Sequence, residues 1–343
     1  MPHLPWCWIN GQGYGSRNLT TLNFLKQRRA KHMVSRCFVK RQSIHAVSAG
    51  KVKQADVLSN ERNGCKSSDK AMKCEMITVL TKQCSQAKLY TYFQDNSKEI
   101  DKDCKRPVVL ICPGGGYGFT SDREAEPVAL QFLAMGFHAC VLRYSVAPAQ
   151  FPQALCELAW SVNYLKAHAK EYGIQSDKII VAGFSAGGHL AASLGTYWQE
   201  EWLEKETGLA AENIRPAGLV LSYPVITSGE FAHRGSFEQL MGKKNTPELN
   251  EYLSLEKRVT KNMPPTFVWH TNTDDVVPVE NTLLLADAMR KHGVSMEVHI
   301  FPEGAHGLSL ANEETMVKSS GFGIEPHCQK WITMAGEWIK ELL

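Results

Sequence analysis

From about residue 86 to the C-terminus, short apolar runs alternate with longer stretches in which apolar residues recur every three or four positions. The short runs predict β-strands over 87–93, 107–112, 137–144, 178–184, 217–223, 266–271 and 296–302. Several of them, such as Pro107-Val108-Val109-Leu110-Ile111-Cys112, are apolar at every position rather than at every second one. A half-exposed strand alternates, whereas continuous apolarity marks a strand covered on both faces. The longer stretches predict helices over 123–135, 152–171, 186–198, 279–292 and 326–342. Strand–helix alternation at this spacing implies an α/β fold: a mostly parallel central sheet with helices on both faces. Residues 226–262 break the rhythm. They are polar and Gly-containing, and read as a short lid-like insertion over the sheet edge.

Residues 1–75 show no comparable pattern, and their charge differs as well. They hold 14 Lys+Arg against 4 Asp+Glu, while the rest of the chain holds 24 against 31. The overall excess of basic residues therefore belongs to the first piece alone. Residues 1–75 are expected to form a disordered or non-native basic extension, with Met72 and Met76 as natural starts. A transit peptide and an anion-seeking tail are the rival readings. Residues 76–343 are expected to form the folded domain. That domain is mildly acidic and has no electrostatic reason to bind nucleic acid.

No run of 18 apolar residues is present, which excludes a membrane-spanning helix. The first fifteen residues lack the continuous apolar core of a secretory signal, and the ten cysteines form no CxxC pair or zinc spacing. A cytoplasmic protein with reduced thiols and no metal is the expectation.

The chemistry gathers at the strand ends. Gly183-Phe184-Ser185-Ala186-Gly187 matches G-x-S-x-G, with a strand run before it and a helical run after it. A serine on such a sharp strand-to-helix turn is lifted above the sheet, beside the free N–H groups of a helix start. It needs a base, and the base needs an orienting acid. After the run at 266–271 come Asp274 and Asp275, either of which could be the acid. After the run at 296–302 comes His306, on a loop between Gly304 and Gly307. His299, His189 and His270 are read as packed within elements. Pro113-Gly114-Gly115-Gly116-Tyr117-Gly118 follows the strand run at 107–112. Amides of Gly115 or Gly116, together with that of Ala186, would form an oxyanion hole.

Together GFSAGGH, PGGGY, RYSVAP, DDVVP and GAHG resemble the α/β-hydrolase superfamily. Within it they most resemble the bacterial esterases related to acetyl-xylan and other short-acyl carbohydrate esterases. The resemblance covers about residues 86–343. It implies Asp274 as the acid, four residues before the proline of its loop. In relatives the oxyanion motif is often HGGG, and here Pro113 stands in place of the histidine. The resemblance further implies an acyl-enzyme mechanism with no metal or organic cofactor. Its substrate would be a small ester, not a membrane or a nucleic acid. Oligomeric state is left open.

The 226–262 insertion is too short for a large lipase-type cap, so acetyl-type esters of sugars or oligosaccharides are the expected substrates. Tyr117, His233, Arg234 and Phe237 are the candidates to line the substrate site. A thioesterase or lipase, a peptidase of the prolyl-oligopeptidase type and a non-catalytic binding protein on the same fold are the rival readings.

Overall fold

The computed structural model describes residues 72–83 and 86–343. The extension expected over 1–75 therefore lies, up to residue 71, outside the described residues.

The chain runs β1 (Lys73–Thr78), β2 (Lys88–Phe93), β3 (Arg106–Cys112), α1 (Glu126–Ala134), β4 (His138–Arg143), α2 (Gln153–Ala167), α3 (Ala169–Tyr172), β5 (Ile174–Phe184) and α4 (Ala186–Tyr197). It continues through α5 (Glu201–Thr207), α6 (Ala211–Ile214), β6 (Gly218–Ser222), α7 (Arg234–Met241), α8 (Pro247–Tyr252), β7 (Thr266–Thr271), α9 (Glu280–Lys291), β8 (Met296–Phe301) and α10 (Trp331–Leu342). The eight strands form one sheet in the order β1-β2-β4-β3-β5-β6-β7-β8. Pairing is antiparallel at β1–β2 and β2–β4 and parallel from β4 to β8. The mostly parallel sheet is the one the strand–helix rhythm predicts, and the arrangement is the α/β-hydrolase one that the motif resemblance implies.

Continuous apolarity has the cause inferred for it. In β3, Val108, Leu110 and Cys112 enter one core, with the buried faces of α2 and α4, while Val109 and Ile111 enter a second, with α1 and α10. Neighbouring side chains on a strand point to opposite faces, so a sheet with two cores needs apolar residues at every position.

The strand at 73–78 differs from expectation. It pairs along its whole length with β2, from Lys73 opposite Phe93 to Thr78 opposite Lys88. It begins three residues inside the segment assigned to the extension. Five of its six residues are exposed, so it carries no hydrophobic periodicity to read.

The insertion is also more ordered than its polar composition suggests. It contains α7 and α8, and it buries Phe237, Leu240, Met241, Leu253 and Leu255 in the first core. Among the described residues no helix is long and apolar enough to cross a membrane.

Because β3, β5, β7 and β8 run parallel, the turns that follow them emerge at one edge of the sheet. That carboxyl edge is where open α/β sheets bind ligands.

Candidate active site

β5 ends at Phe184, and the chain reverses at Ser185 with φ 53° and ψ −119° before α4 begins. A left-handed φ at a residue with a side chain is strained, and the surroundings must enforce it. The Ser185 amide donates to Ser222 O (3.0 Å), and its carbonyl accepts from Val225 N (3.1 Å) and His189 N (3.1 Å). The flanking glycines are required by close approach. A Cβ on Gly183 would stand 2.3 Å from Gly187 O, and one on Gly187 would stand 2.1 Å from Cys112 O. The turn therefore presses against the end of β3, leaving the Ser185 hydroxyl at the carboxyl edge.

His306 lies within reach of that hydroxyl. Ser185 Oγ–H donates to His306 Nε2 at 2.8 Å, and His306 Nδ1–H donates to Asp274 Oδ2 at 2.7 Å. The tautomer follows from the carboxylate, which can only accept, so Nδ1 carries the proton and Nε2 is free to receive one. The two loops are stapled together. Thr271 and Thr273 hydroxyls bond to Gly304 O at 2.9 and 3.1 Å, and the Gly304 amide bonds to Thr273 Oγ1 at 2.9 Å.

Asp274 has a buried side chain and takes four donors. Oδ1 accepts from the amides of Val276 (3.0 Å) and Val277 (2.9 Å). Oδ2 accepts from His306 and from His270 Nε2 (3.2 Å). Burial alone would raise its pKa, but the hydrogen bonds from His270, His306 and Val277 outweigh it and hold the carboxyl well below the usual carboxylate range. Asp275 is exposed, and His306 bonds to Asp274 instead.

By sequence His270 reads as packing. It is indeed fully buried, with Nδ1 accepting from Thr282 Oγ1 (2.8 Å), but its other nitrogen steadies the acid. The available signal was a histidine at the end of an otherwise apolar strand, four residues before Asp274.

On the other side of Ser185 lies the Gly-rich loop. Gly115 has φ 130°, and a Cβ there would stand 2.2 Å from Phe119 O. Its carbonyl is folded back to accept from the amides of Gly118 and Phe119. The Gly114 amide donates to Glu124 Oε2 (2.8 Å) and is occupied, and the amides of Gly115, Gly116 and Tyr117 follow it in the loop.

The candidates to line the substrate site separate. Tyr117 is only 3% exposed, and its hydroxyl donates to His189 Nδ1 at 2.9 Å. Phe237 is buried too, packed edge-on against His189 with centroids 5.3 Å apart. Both rings pack against His189 of α4, and Phe237 also borders an open pocket with Arg234, Glu238 and Met241. They are apolar bodies in a crowded place, and burial gains more than exposure would.

His189 is the rivet among them, donating from Nε2 to Leu253 O (3.0 Å). Burial pushes its pKa down to about 4. His233 is half-buried at the start of α7, with Nδ1 bonded to Ser236 Oγ (2.8 Å). Burial, and then the charge of nearby His306, lower its pKa. Ser236 Oγ in turn lies 3.8 Å from where a Cβ of Gly116 would stand, so the start of α7 roofs the Gly-rich loop. Arg234 is exposed and donates to Gly229 O. Among the described residues no group of three or more His, Cys, Asp or Glu is placed to hold a metal ion.

Comparison with known proteins adds five likenesses. The BD-FAE family model matches residues 98–289. The chain is 38% identical over 223 residues to endo-1,4-beta-xylanase B of Butyrivibrio fibrisolvens, a match covering 64% of this chain and 35% of that one. It is 26% identical over 247 residues to an acetylxylan esterase of Xylanibacter ruminicola, covering 68% and 49%. It thus spans between a third and a half of these curated relatives. Among solved structures, an acetyl ester-xyloside bifunctional hydrolase from Caldicellulosiruptor lactoaceticus superposes with a TM-score of 0.64 at 36% identity, covering 75% of this chain and 88% of that one. A carboxylesterase from Lactobacillus plantarum does so with a TM-score of 0.68 at 27% identity, covering 80% and 98%.

Proposed function

Because the chain belongs to the BD-FAE family of α/β-hydrolases, we propose that it is a serine esterase that removes acetyl-type groups from acetylated sugars or oligosaccharides. The observation that carries this reading is the unbroken hydrogen-bonded line from Ser185 through His306 to Asp274. In this reading His306 Nε2 takes the Ser185 proton as Oγ attacks the ester carbonyl. Asp274 keeps the imidazole oriented and offsets the positive charge that His306 gains. The amides of Gly115 or Gly116 and of Ala186 stabilise the tetrahedral oxyanion. His306 then gives its proton to the departing alcohol. A water activated by the same nitrogen clears the acyl group.

Short acyl groups follow from the insertion. Most of its large apolar side chains (Phe237, Leu240, Met241, Leu253 and Leu255) are turned into the core, so they offer little surface to a long chain. Each methylene held in a matching pocket is worth roughly 0.8 kcal/mol, and a site without that pocket forgoes it. His233, at the start of α7 and within the electrostatic reach of His306, is the residue we place against the sugar. The names of the xylan-related relatives favour a sugar ester over the thioester or lipid alternatives. We place the protein in the cytoplasm, where its buried free thiols, such as Cys112 and Cys140, stay reduced. Imported acetylated oligosaccharides would then be the substrate.

A panel of p-nitrophenyl esters from acetyl to octanoyl, run beside acetylated xylo-oligosaccharides, tests this. Activity should peak between acetyl and butyryl, with acetate released from the sugars. Ser185→Ala should lower kcat by about 10⁴-fold or more in folded protein. Residual activity within tenfold of the unsubstituted enzyme would refute the nucleophile, and a tenfold preference for octanoyl esters would refute the substrate class.

A further inference from the structure

The Gly-rich loop opens with Pro113, whose ring offers no hydrogen bond to hold it, so its support must come from elsewhere. Part of it is the Tyr144 hydroxyl, which donates to Pro113 O at 2.7 Å. The larger part lies behind the loop.

Glu124 is 4% exposed, and its two carboxylate oxygens are separately used. Oε2 accepts from the Gly114 amide at 2.8 Å, and Oε1 accepts from the Tyr223 hydroxyl at 2.7 Å. A Cβ on Gly114 would stand 2.7 Å from Glu124 Oε2 and 3.0 Å from Ser185 Cβ. The carboxylate and the serine therefore flank the same backbone atom.

The chain of bonds continues to the base. Burial first, and then the charge of Glu124, keep the Tyr223 phenol far above its ordinary pKa, so the hydroxyl retains its proton and donates to the carboxylate. The same oxygen accepts from the Ser309 amide at 2.9 Å, three residues past His306. The Tyr223 ring packs against His306 with centroids 5.1 Å apart. Arg123 adds a parallel tie, donating from Nη1 to Gly307 O at 2.9 Å.

We propose that Glu124 is the positioning residue of the oxyanion loop: with Tyr223 it fixes the Gly115 and Gly116 amides relative to Ser185 and joins that loop to the one bearing His306. The inference rests on the reading of Ser185 as nucleophile. A negative charge buried beside a developing oxyanion opposes catalysis electrostatically. Its place here is explained by what a carboxylate can do and an amide cannot, which is to accept on both oxygens at once. Sequence gave no sign of it, because a helix starting at residue 123 would make Glu124 a solvent-facing acid of the first turn. The helix starts at Glu126 instead.

The test compares Glu124→Ala, Glu124→Gln and Tyr223→Phe with the unsubstituted protein. The readouts are p-nitrophenyl acetate kinetics and inhibition by an aryl trifluoromethyl ketone, whose serine adduct carries the oxyanion. The matching methyl ketone reports ground-state binding. Glu124→Ala should lower kcat about 100-fold, the range seen when an oxyanion donor is lost, while KM moves less than threefold. Inhibition by the trifluoromethyl ketone should weaken by the same factor, and that by the methyl ketone should not. Glu124→Gln and Tyr223→Phe should show the same pattern at smaller size, which keeps the test open if the alanine variant fails to fold. A kcat loss without loss of trifluoromethyl ketone affinity, or kcat within about threefold in all folded variants, would overturn the inference. Absence of Ser185-dependent turnover in the unsubstituted protein would instead overturn the esterase reading, and the inference with it.

Discussion

Two sides meet at Ser185, and they are built differently. On the acid–base side, side chains converge: two imidazoles and two amides point at the single carboxylate of Asp274. On the side we propose as the oxyanion hole, the groups are backbone amides, and their positions come from glycine conformations, tight contacts and the Glu124 carboxylate behind them. A side-chain site fails when one functional group is changed. A backbone site fails when something is added, or when its support is withdrawn.

Asp274→Asn should expose that contrast most strongly. The asparagine keeps its size but presents an amide where the imidazole needs an acceptor. We expect kcat to fall by roughly 10⁴, the scale for an acid that sets a histidine tautomer. Asp275→Asn, at an exposed position one residue away, should stay within about twofold, the range of ordinary surface changes. Steady-state kinetics on p-nitrophenyl acetate decides the pair, and a larger loss at Asp275 would mean the acid is wrongly placed.

Adding a single methyl group tests the other side. Gly115→Ala puts a Cβ 2.2 Å from Phe119 O at a φ of 130°, so the loop must move. We expect kcat to drop about 10²–10³-fold. The pH midpoint of the remaining activity should not move, because the His306–Asp274 pair is untouched. A shifted midpoint would show that the two sides are not separable in this way.

Smallest is a stability effect to which the oxyanion side contributes. His189 ties Tyr117 of the Gly-rich loop to Leu253 of the insertion, and burial holds its folded pKa at about 4. Unfolded, it titrates near 6.5. Between those values the unfolded chain binds a proton that the folded chain refuses. Its contribution is therefore complete above about pH 6.5, falls as the pH drops, and stops falling below about pH 4. Burial lowers the pKa of His138 in the same direction. Denaturant midpoints across this window should show a slope approaching ~1.4 kcal/mol per pH unit for each histidine. His189→Gln should remove its share, and an unchanged slope would refute the assignment.

How much of this could be read along the chain follows the same division. Ser185 and His306 were legible because each sits among small residues just past an apolar strand, a local pattern. The central strand runs, such as those of β3, β6 and β7, were legible because both faces of the sheet are buried there, which marks nearly every position. Glu124, Tyr223 and His270 were not legible as parts of the site. Their roles arise from contacts across the fold, as between Glu124 and Tyr223, 99 positions apart. For Tyr117 and Phe237 the structure adds what sequence does not show, that both rings are buried. Their positions beside the site are real, but an aromatic ring beside a core is drawn into it. The first strand escaped notice because its exposed residues carry no alternation.

That strand bears on where the protein can be shortened. A chain begun at Met76, as the charge boundary suggests, would discard Lys73, Cys74 and Glu75 and with them half of the β1–β2 ladder. Glu75 also accepts from the Tyr172 hydroxyl at 3.0 Å, so a tie to α3 would go too. What remained would be an eight-stranded sheet whose last hydrogen-bonding margin is only half covered. Open margins of this kind recruit strands from other molecules and seed aggregates. Beginning at Met72 keeps all six pairs of that ladder and the Glu75 tie to α3.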